Sequence, residues 1–318
     1  MGLTIERWFA GAQAMNQVYL DTARLLIQAA PPVFQGGEFA LKGGTAINLF
    51  VRDMPRLSVD LDLVFPDYTL PRNQALARIN EAIRQAAERL KARGFQVRTV
   101  TATGAGETKL LVRRAGIEIK VEVNFVMRGT VHPVRAASLS AKARDTLQAD
   151  FEIPVVSPEH LYGGKLVAAM DRQHPRDLFD VMQLYAHEGI TPAIRRAFVV
   201  YLASHNRPVH EVLFPALRDI TQDYQGTFTG MTAEPVELAE LLATRERLVN
   251  DLQQNLDAKE RGFLLSIVSN APEWGLMEIA HLERLPAIRW KLRNIDQLAQ
   301  SSPKKFAAQA DSLRRLLG

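Results

Sequence analysis

The chain has 318 residues, 47% hydrophobic and 23% charged, with a formal net charge of +4 and a pI near 9.4. That balance suits one large or two modest globular domains, and the mild basicity permits a polyanionic partner without requiring one. The chain has no cysteine, which excludes disulfides, thiolate metal sites and cysteine nucleophiles; without a basic-then-apolar leader or an apolar run near ~18 residues, it is expected to be cytoplasmic and to have no membrane partner.

Over residues 4–30, Trp8, Met15, Tyr19, Thr22 and Leu26 recur at three- and four-residue steps, the spacing of an amphipathic helix that Pro31 and Pro32 are expected to stop. A short strand is expected over 38–42, then a Gly43-Gly44 turn with Thr45 opening a helix that ends near Arg52, then a second strand over 56–65. Pro71 opens a helix with Leu76, Ile79, Ile83 and Leu90 on one stripe, and Gly94 stands where a left-handed C-terminal cap belongs. Strands follow at 95–101, 108–114 and 117–126, the last two joined by a tight turn at Ala115-Gly116.

Residues 128–150 read as irregular with one short helix, and a domain boundary is expected near 150, dividing the chain into 1–150 and 151–318. Beyond it the pattern is almost wholly helical. Ser157-Pro158 starts a helix carrying Lys165, and further helices are expected near 176–188, 192–204, 209–219, 236–255, 257–269, 285–300 and 303–317. No repeat period, low-complexity tract or heptad array is present.

Strand side chains alternate faces, so Asp60 and Asp62 point one way and Val59, Leu61 and Leu63 the other. Two carboxylates on one face of an otherwise apolar strand repel each other, and a hard divalent cation is the usual stabilising partner. By the same alternation Glu118, Lys120, Glu122 and Asn124 share a face, which makes Glu122 a candidate third carboxylate. The Gly43-Gly44 corner lets backbone approach a phosphate closely, although Gly-Gly before a helix is more often just a tight turn. Gly163, Gly164, Ala168 and Ala169 give the Lys165 helix a small-residue face open to a neighbouring element or a nucleotide, while a solvated helix lysine is the plain reading. Asp177 and Asp180, at i and i+3 beside Arg176, read by spacing alone as a surface acid pair. His160 and His174 are expected to be cap or surface residues, and Trp8, Trp274 and Trp290 packing anchors. Arg195, Arg196, Arg289, Lys291, Arg293, Lys304 and Lys305 could track a phosphate backbone or simply line solvated helix faces.

The run KGGTAINLF followed by RLSVDLD resembles the nucleotidyltransferase motif of the DNA polymerase β superfamily and, more narrowly, is similar to the AbiEii/AbiGii toxins of type IV toxin–antitoxin systems. The likeness continues through HLYGGKLVAAMDRQHPRDLFDVMQL, FLLSIVSNAPEWGLM and WKLRNIDQL. It implies an α/β (α+β) fold, an N-terminal mixed sheet with flanking helices and a C-terminal helical bundle, with the active site between them. It further implies that Asp60 and Asp62 ligate Mg²⁺ (or Mn²⁺), with Gly43, Gly44, Thr45, Ser58 and Arg172 around an NTP, and that Lys165 neutralises phosphate charge. Asp177 or Asp180 would orient Lys165 or Arg172, and Glu122 would be base or third metal ligand, unless it is a structural residue paired with Lys120 or Arg113. The implied activity is transfer of NMP to RNA, in particular the tRNA 3′ end, blocking translation, with a cognate antitoxin as partner and a role in phage defence. Transfer to a protein hydroxyl, or nucleotide binding without catalysis, are the competing expectations.

Overall fold

A computed structural model describes residues 16–101 and 107–318, so Trp8 and Met15 lie outside the described residues. Helix α1 (Gln17–Phe34) is capped by Asn16, whose side chain accepts the Val18 N–H at 2.9 Å. Pro31 and Pro32 do not stop it; they lie inside its final turns. A proline's fixed φ is already helical, and the lost hydrogen bonds are offset here by burial of Ala30, Pro32, Val33 and Phe34. The Pro31 carbonyl still accepts from Gln35 N–H at 3.0 Å, and the Pro32 carbonyl from Arg89 Nε at 2.8 Å.

The strands are β1 (Ala40–Lys42), β2 (Asp60–Val64), β3 (Gln96–Thr101), β4 (Glu107–Arg114), β5 (Ile117–Asn124), β6 (Arg135–Ser138) and β7 (Glu152–Val155). They form one seven-stranded sheet in the order β3-β4-β5-β2-β1-β7-β6, parallel at β2–β5 and β1–β7 and antiparallel elsewhere. Period-two alternation puts Leu41, Leu61, Leu63, Leu110, Val112, Ile119, Val121 and Val123 on one buried face. Helix α1 packs on β5, and α3 (Arg72–Ala92) packs on β3 and on α1. Gly94 takes φ +79° after α3, and Phe95 N–H returns to Leu90 O at 3.2 Å, the left-handed cap expected there. Ala115 and Gly116 both take positive φ in the β4–β5 turn, as a two-residue hairpin of this twist requires.

Two short strands depart from expectation. The stretch read as irregular holds β6 and a helix, α4 (Ala141–Leu147), and β7 follows beyond the expected boundary at 150. Strands of four residues show too few alternations to be read. Because β7 pairs with β1 at Leu41↔Val155, the first compact unit runs Met1–Ser157, and Gln225–Glu237 returns to it. There Met231 O accepts Leu57 N–H at 2.8 Å, and Arg56 bridges Thr232, which shortens the expected second strand to Asp60–Val64.

The second unit is Pro158–Tyr224 with Leu238–Gly318. Its helices are α5 (Pro158–Asp171), α6 (Pro175–Ala186), α7 (Pro192–Ala203), α8 (Val209–Leu213), α10 (Leu238–Gln254), α11 (Ala258–Val268), α12 (Pro286–Ser301) and α13 (Pro303–Leu317); α9 (Thr221–Thr227) lies between α8 and α10 in sequence. The helix expected over 209–219 ends at Leu213 because Pro215 cannot continue it. The small-residue face of α5 serves helix packing: a Cβ on Gly163 would stand 2.8 Å from the Ala197 carbonyl carbon on α7. His160, expected as a cap or surface residue, is buried and meets the Tyr201 ring edge-on at 4.9 Å. No helix among the described residues is long and apolar enough to cross a membrane.

Candidate active site

In the first unit the site begins where β1 ends. Lys42 has extended backbone, and Gly43 follows at φ +73°, opening helix α2 (Gly43–Ala46), which runs on as a π-helical turn through Ile47–Val51. Gly43 is required twice. Its φ is left-handed, and a Cβ there would overlap the Asp62 carboxylate. At Gly44 a Cβ would come within 2.7 Å of the Arg56 guanidinium, which would have to give way. The turn is therefore in direct apposition to Asp62, and the first-turn N–H groups of α2 have no acceptors within the helix itself.

Thr45 and Ser58, both expected around the nucleotide, are buried and act as fasteners in this fold. The Thr45 hydroxyl donates to the Asp60 carbonyl and lies 2.8 Å from Ser58 Oγ, which ties the start of α2 to the start of β2. Asn48, which the sequence did not single out, donates from its amide to Gly44 O at 2.9 Å and holds the turn from the other side.

Asp60 and Asp62 are half-buried on the sheet face opposite the apolar one. Register places Lys120 beside Asp60, and aligns Lys109, Glu122, Asp62 and Lys42 in one row across β4, β5, β2 and β1. Glu122 is thus the lateral neighbour of Asp62. Its ion pair is with Lys109 at 2.9 Å, where Lys120 or Arg113 was the expected structural partner. Antiparallel register decides this: Lys109 stands directly opposite Glu122, whereas Arg113 is opposite Glu118. Lys42, Lys109 and Arg56 were not recognisable as neighbours, because pairing between strands is not written in either strand alone.

Among the described residues no group of three or more His, Cys, Asp or Glu side chains is gathered closely enough to hold a metal ion. The two β2 carboxylates nonetheless suit Mg²⁺ or Mn²⁺, since Mg²⁺ commonly takes one or two protein carboxylates and completes its shell with water and substrate phosphate. The Asp62 carboxylate itself fills the position that a Gly43 side chain would take, which sets one of those carboxylates directly against the turn.

The second unit holds the other expected residues in a cluster of its own. Lys165 on α5 is 7% exposed, and its ammonium lies 2.7 Å from Asp177 Oδ1 and 2.9 Å from Asp180 Oδ2 on α6. Asp177 and Asp180 are 1% and 0% exposed, so the acid pair is buried, contrary to its spacing-based reading as a surface pair. Arg172 closes a bidentate pair on Asp177, Nε to Oδ2 at 2.5 Å and Nη2 to Oδ1 at 3.0 Å, while its own side chain is 62% exposed. Burial alone would raise the Asp177 carboxyl, but Lys165 and Arg172 outweigh it and hold the group well below the usual carboxylate range. His174 caps α6 by accepting Arg176 N–H, as expected of a cap residue, and Pro175 starts the helix.

Of the seven expected phosphate-tracking cations, Arg195 is committed to Glu260 at 2.7 Å and Lys291 is buried, with its ammonium donating to Arg207 O at 2.8 Å. Arg289, Arg293, Lys304 and Lys305 are exposed.

A family model described as nucleotidyl transferase AbiEii toxin, type IV TA system, matches residues 24–294. No match was found among curated protein sequences. The solved structure of the nucleotidyltransferase toxin MenT4 from Mycobacterium tuberculosis H37Rv is similar at a TM-score of 0.60 and 20% identity, over 92% of this chain and 99% of that one. At that identity the likeness establishes a shared fold. The family match spans the Gly-Gly turn, the β2 carboxylates and the α5–α6 cluster, and the chain belongs to the AbiEii family of nucleotidyltransferase toxins of type IV toxin–antitoxin systems.

Proposed function

We propose that the chain transfers a nucleoside monophosphate from an NTP to the 3′-terminal hydroxyl of tRNA, and that the blocked tRNA stops translation until a cognate antitoxin intervenes. The observation that carries this reading is the apposition of the Gly43-Gly44 turn to Asp62, with Asp60 on the same strand face. Phosphate on the turn and a divalent cation on the two carboxylates would share one small volume, which is the requirement for activating an α-phosphate.

Asp60 and Asp62 would hold Mg²⁺ or Mn²⁺, which when bound supplies Lewis-acid polarisation of the phosphate. Backbone N–H groups of Gly43, Gly44 and Thr45 would take the phosphate oxygens, with Ser58 and Thr45 fixing the turn against β2. The acceptor oxygen attacks the α-phosphorus, its proton passes to Glu122, and the bond to the bridging oxygen breaks to release pyrophosphate. Glu122 is assigned the proton because it stands beside Asp62 across the β2–β5 pair, next to the carboxylates that would hold the cation. Arg172, fixed by Asp177 with Lys165 and Asp180 behind it, would offer its exposed guanidinium to a phosphate. On this reading the first unit is the nucleotidyltransferase domain.

The test incubates the full chain with Mg²⁺, each α-labelled NTP in turn, total tRNA and total protein. Label is expected in tRNA and at least ~10³-fold less with Asp60→Asn, which removes one carboxylate without changing volume. Label confined to protein would overturn the RNA acceptor, and label that survives Asp60→Asn would overturn the β2 site.

A further inference from the structure

The row Lys109–Glu122–Asp62–Lys42 carries two lysines outside two carboxylates, and the two lysines are used differently. Lys109 is spent on Glu122 at 2.9 Å. Lys42 has no hydrogen bond or ion pair among the described residues, although its register partner is Asp62. It is half-buried, it stands immediately before Gly43 as the N-cap residue of α2, and its side chain makes no capping hydrogen bond.

We infer that Lys42 is a substrate-binding residue, whose ammonium takes the β- and γ-phosphates of the NTP and the pyrophosphate that leaves. The inference rests on the proposed transfer site and gives a role to the first residue of the KGGTAINLF run, to which the resemblance assigned none. Three arguments converge on it. Backbone φ −135° and ψ −172° hold Lys42 extended, so strand alternation keeps its side chain on the Asp62 face even at the last residue of β1. A triphosphate lying on the Gly43–Thr45 backbone then lies within the span of the four-carbon stem of the residue before it. The charge count agrees: a divalent cation answers Asp60 and Asp62, Glu122 has Lys109, and the departing pyrophosphate gains negative charge for which Lys42 is the remaining cation on that row.

The test uses the full chain with two variants, Lys42→Ala and Lys42→Arg. The first measurement is calorimetric binding of magnesium pyrophosphate, which needs no turnover. Lys42→Ala is expected to weaken it about 10- to 100-fold, the loss of one charge-assisted phosphate contact, and Lys42→Arg is expected to keep most of it. Binding of a nucleoside monophosphate should be the same in all three proteins. The second measurement is transfer, where Lys42→Ala should raise the NTP KM by a similar factor. Pyrophosphate affinity unchanged in Lys42→Ala, or no pyrophosphate binding by the wild-type chain, would overturn the role of Lys42. Loss of NMP binding along with pyrophosphate in Lys42→Ala would also overturn it, by showing a general collapse of the turn. Failure of the transfer reading is seen separately, as a wild-type chain that labels no acceptor while still binding pyrophosphate through Lys42.

Discussion

At position 43 a single methyl group separates a working turn from a blocked one. Gly43→Ala forces an L-residue into left-handed backbone, which costs about 1–2 kcal/mol, and drives its Cβ into the Asp62 carboxylate. The Asp62 carboxylate must then swing aside from the turn. Nucleotidyl transfer is expected to fall at least ~10²-fold, with a melting temperature only a few degrees lower. Transfer and melting measured together check this, and a fully active Gly43→Ala chain would show that the apposition has no part in the chemistry. A second residue-scale effect lies far from this site in sequence. Burial pushes the Lys291 ammonium down to about 8, against the opposing pull of Glu211. Between about pH 8 and the ordinary lysine value near 10.5 the unfolded chain holds the proton and the folded chain does not, so stability rises with pH across that window, by up to ~3 kcal/mol. Denaturant midpoints at pH 7.5 and 10 should show that rise in the native chain and lose it in Lys291→Met.

At the scale of elements, the α5–α6 pair is held by two cations and two carboxylates of zero net charge, three of them buried. Removing one partner strands a buried charge, so Lys165→Met is expected to cost roughly 3–5 kcal/mol, measured by urea unfolding. Asp177 gives the matching pH dependence. Its folded carboxyl is held below the unfolded value near 3.9, so its stabilisation is complete at neutral pH and declines as pH falls below about 4. Asp177→Asn should flatten that acid limb. Because Lys165 has this structural role, loss of toxicity on Lys165→Ala would not by itself identify chemistry, whereas Asp60→Asn leaves the α5–α6 cluster intact. The same elements show what the sequence could and could not carry. Helices with a full apolar stripe, such as α3, and strands with four alternations, such as β5, were legible from period alone, and so was the shared face of Asp60 and Asp62. The burial of Asp177 and Asp180 was not, since i, i+3 spacing is the same on a wet face and a dry one. The places of Lys42 beside Asp62 and of Lys109 beside Glu122 were not legible for a different reason: they depend on register between strands, which only the assembled sheet defines.

At the scale of the molecule, the first unit is closed by two segments that sequence order separates, β7 after the expected boundary and Gln225–Glu237 further on. Non-local pairing of this kind leaves no local period, which is why the boundary near 150 fell short. In that sheet α1 and α3 pack on the strands, and the face that carries Asp62 sets Lys109, Glu122, Asp62 and Lys42 in one row. Such a sheet has both the rigidity and the charge that phosphoryl chemistry requires, and its family is that of nucleotidyltransferase toxins. The most direct measurement of the acceptor compares labelled NMP transfer to intact tRNA and to tRNA whose 3′-terminal diol has been destroyed by periodate. The account predicts label on the intact RNA alone, abolished by Asp60→Asn. Equal labelling of oxidised tRNA, or label found only in protein, would contradict it.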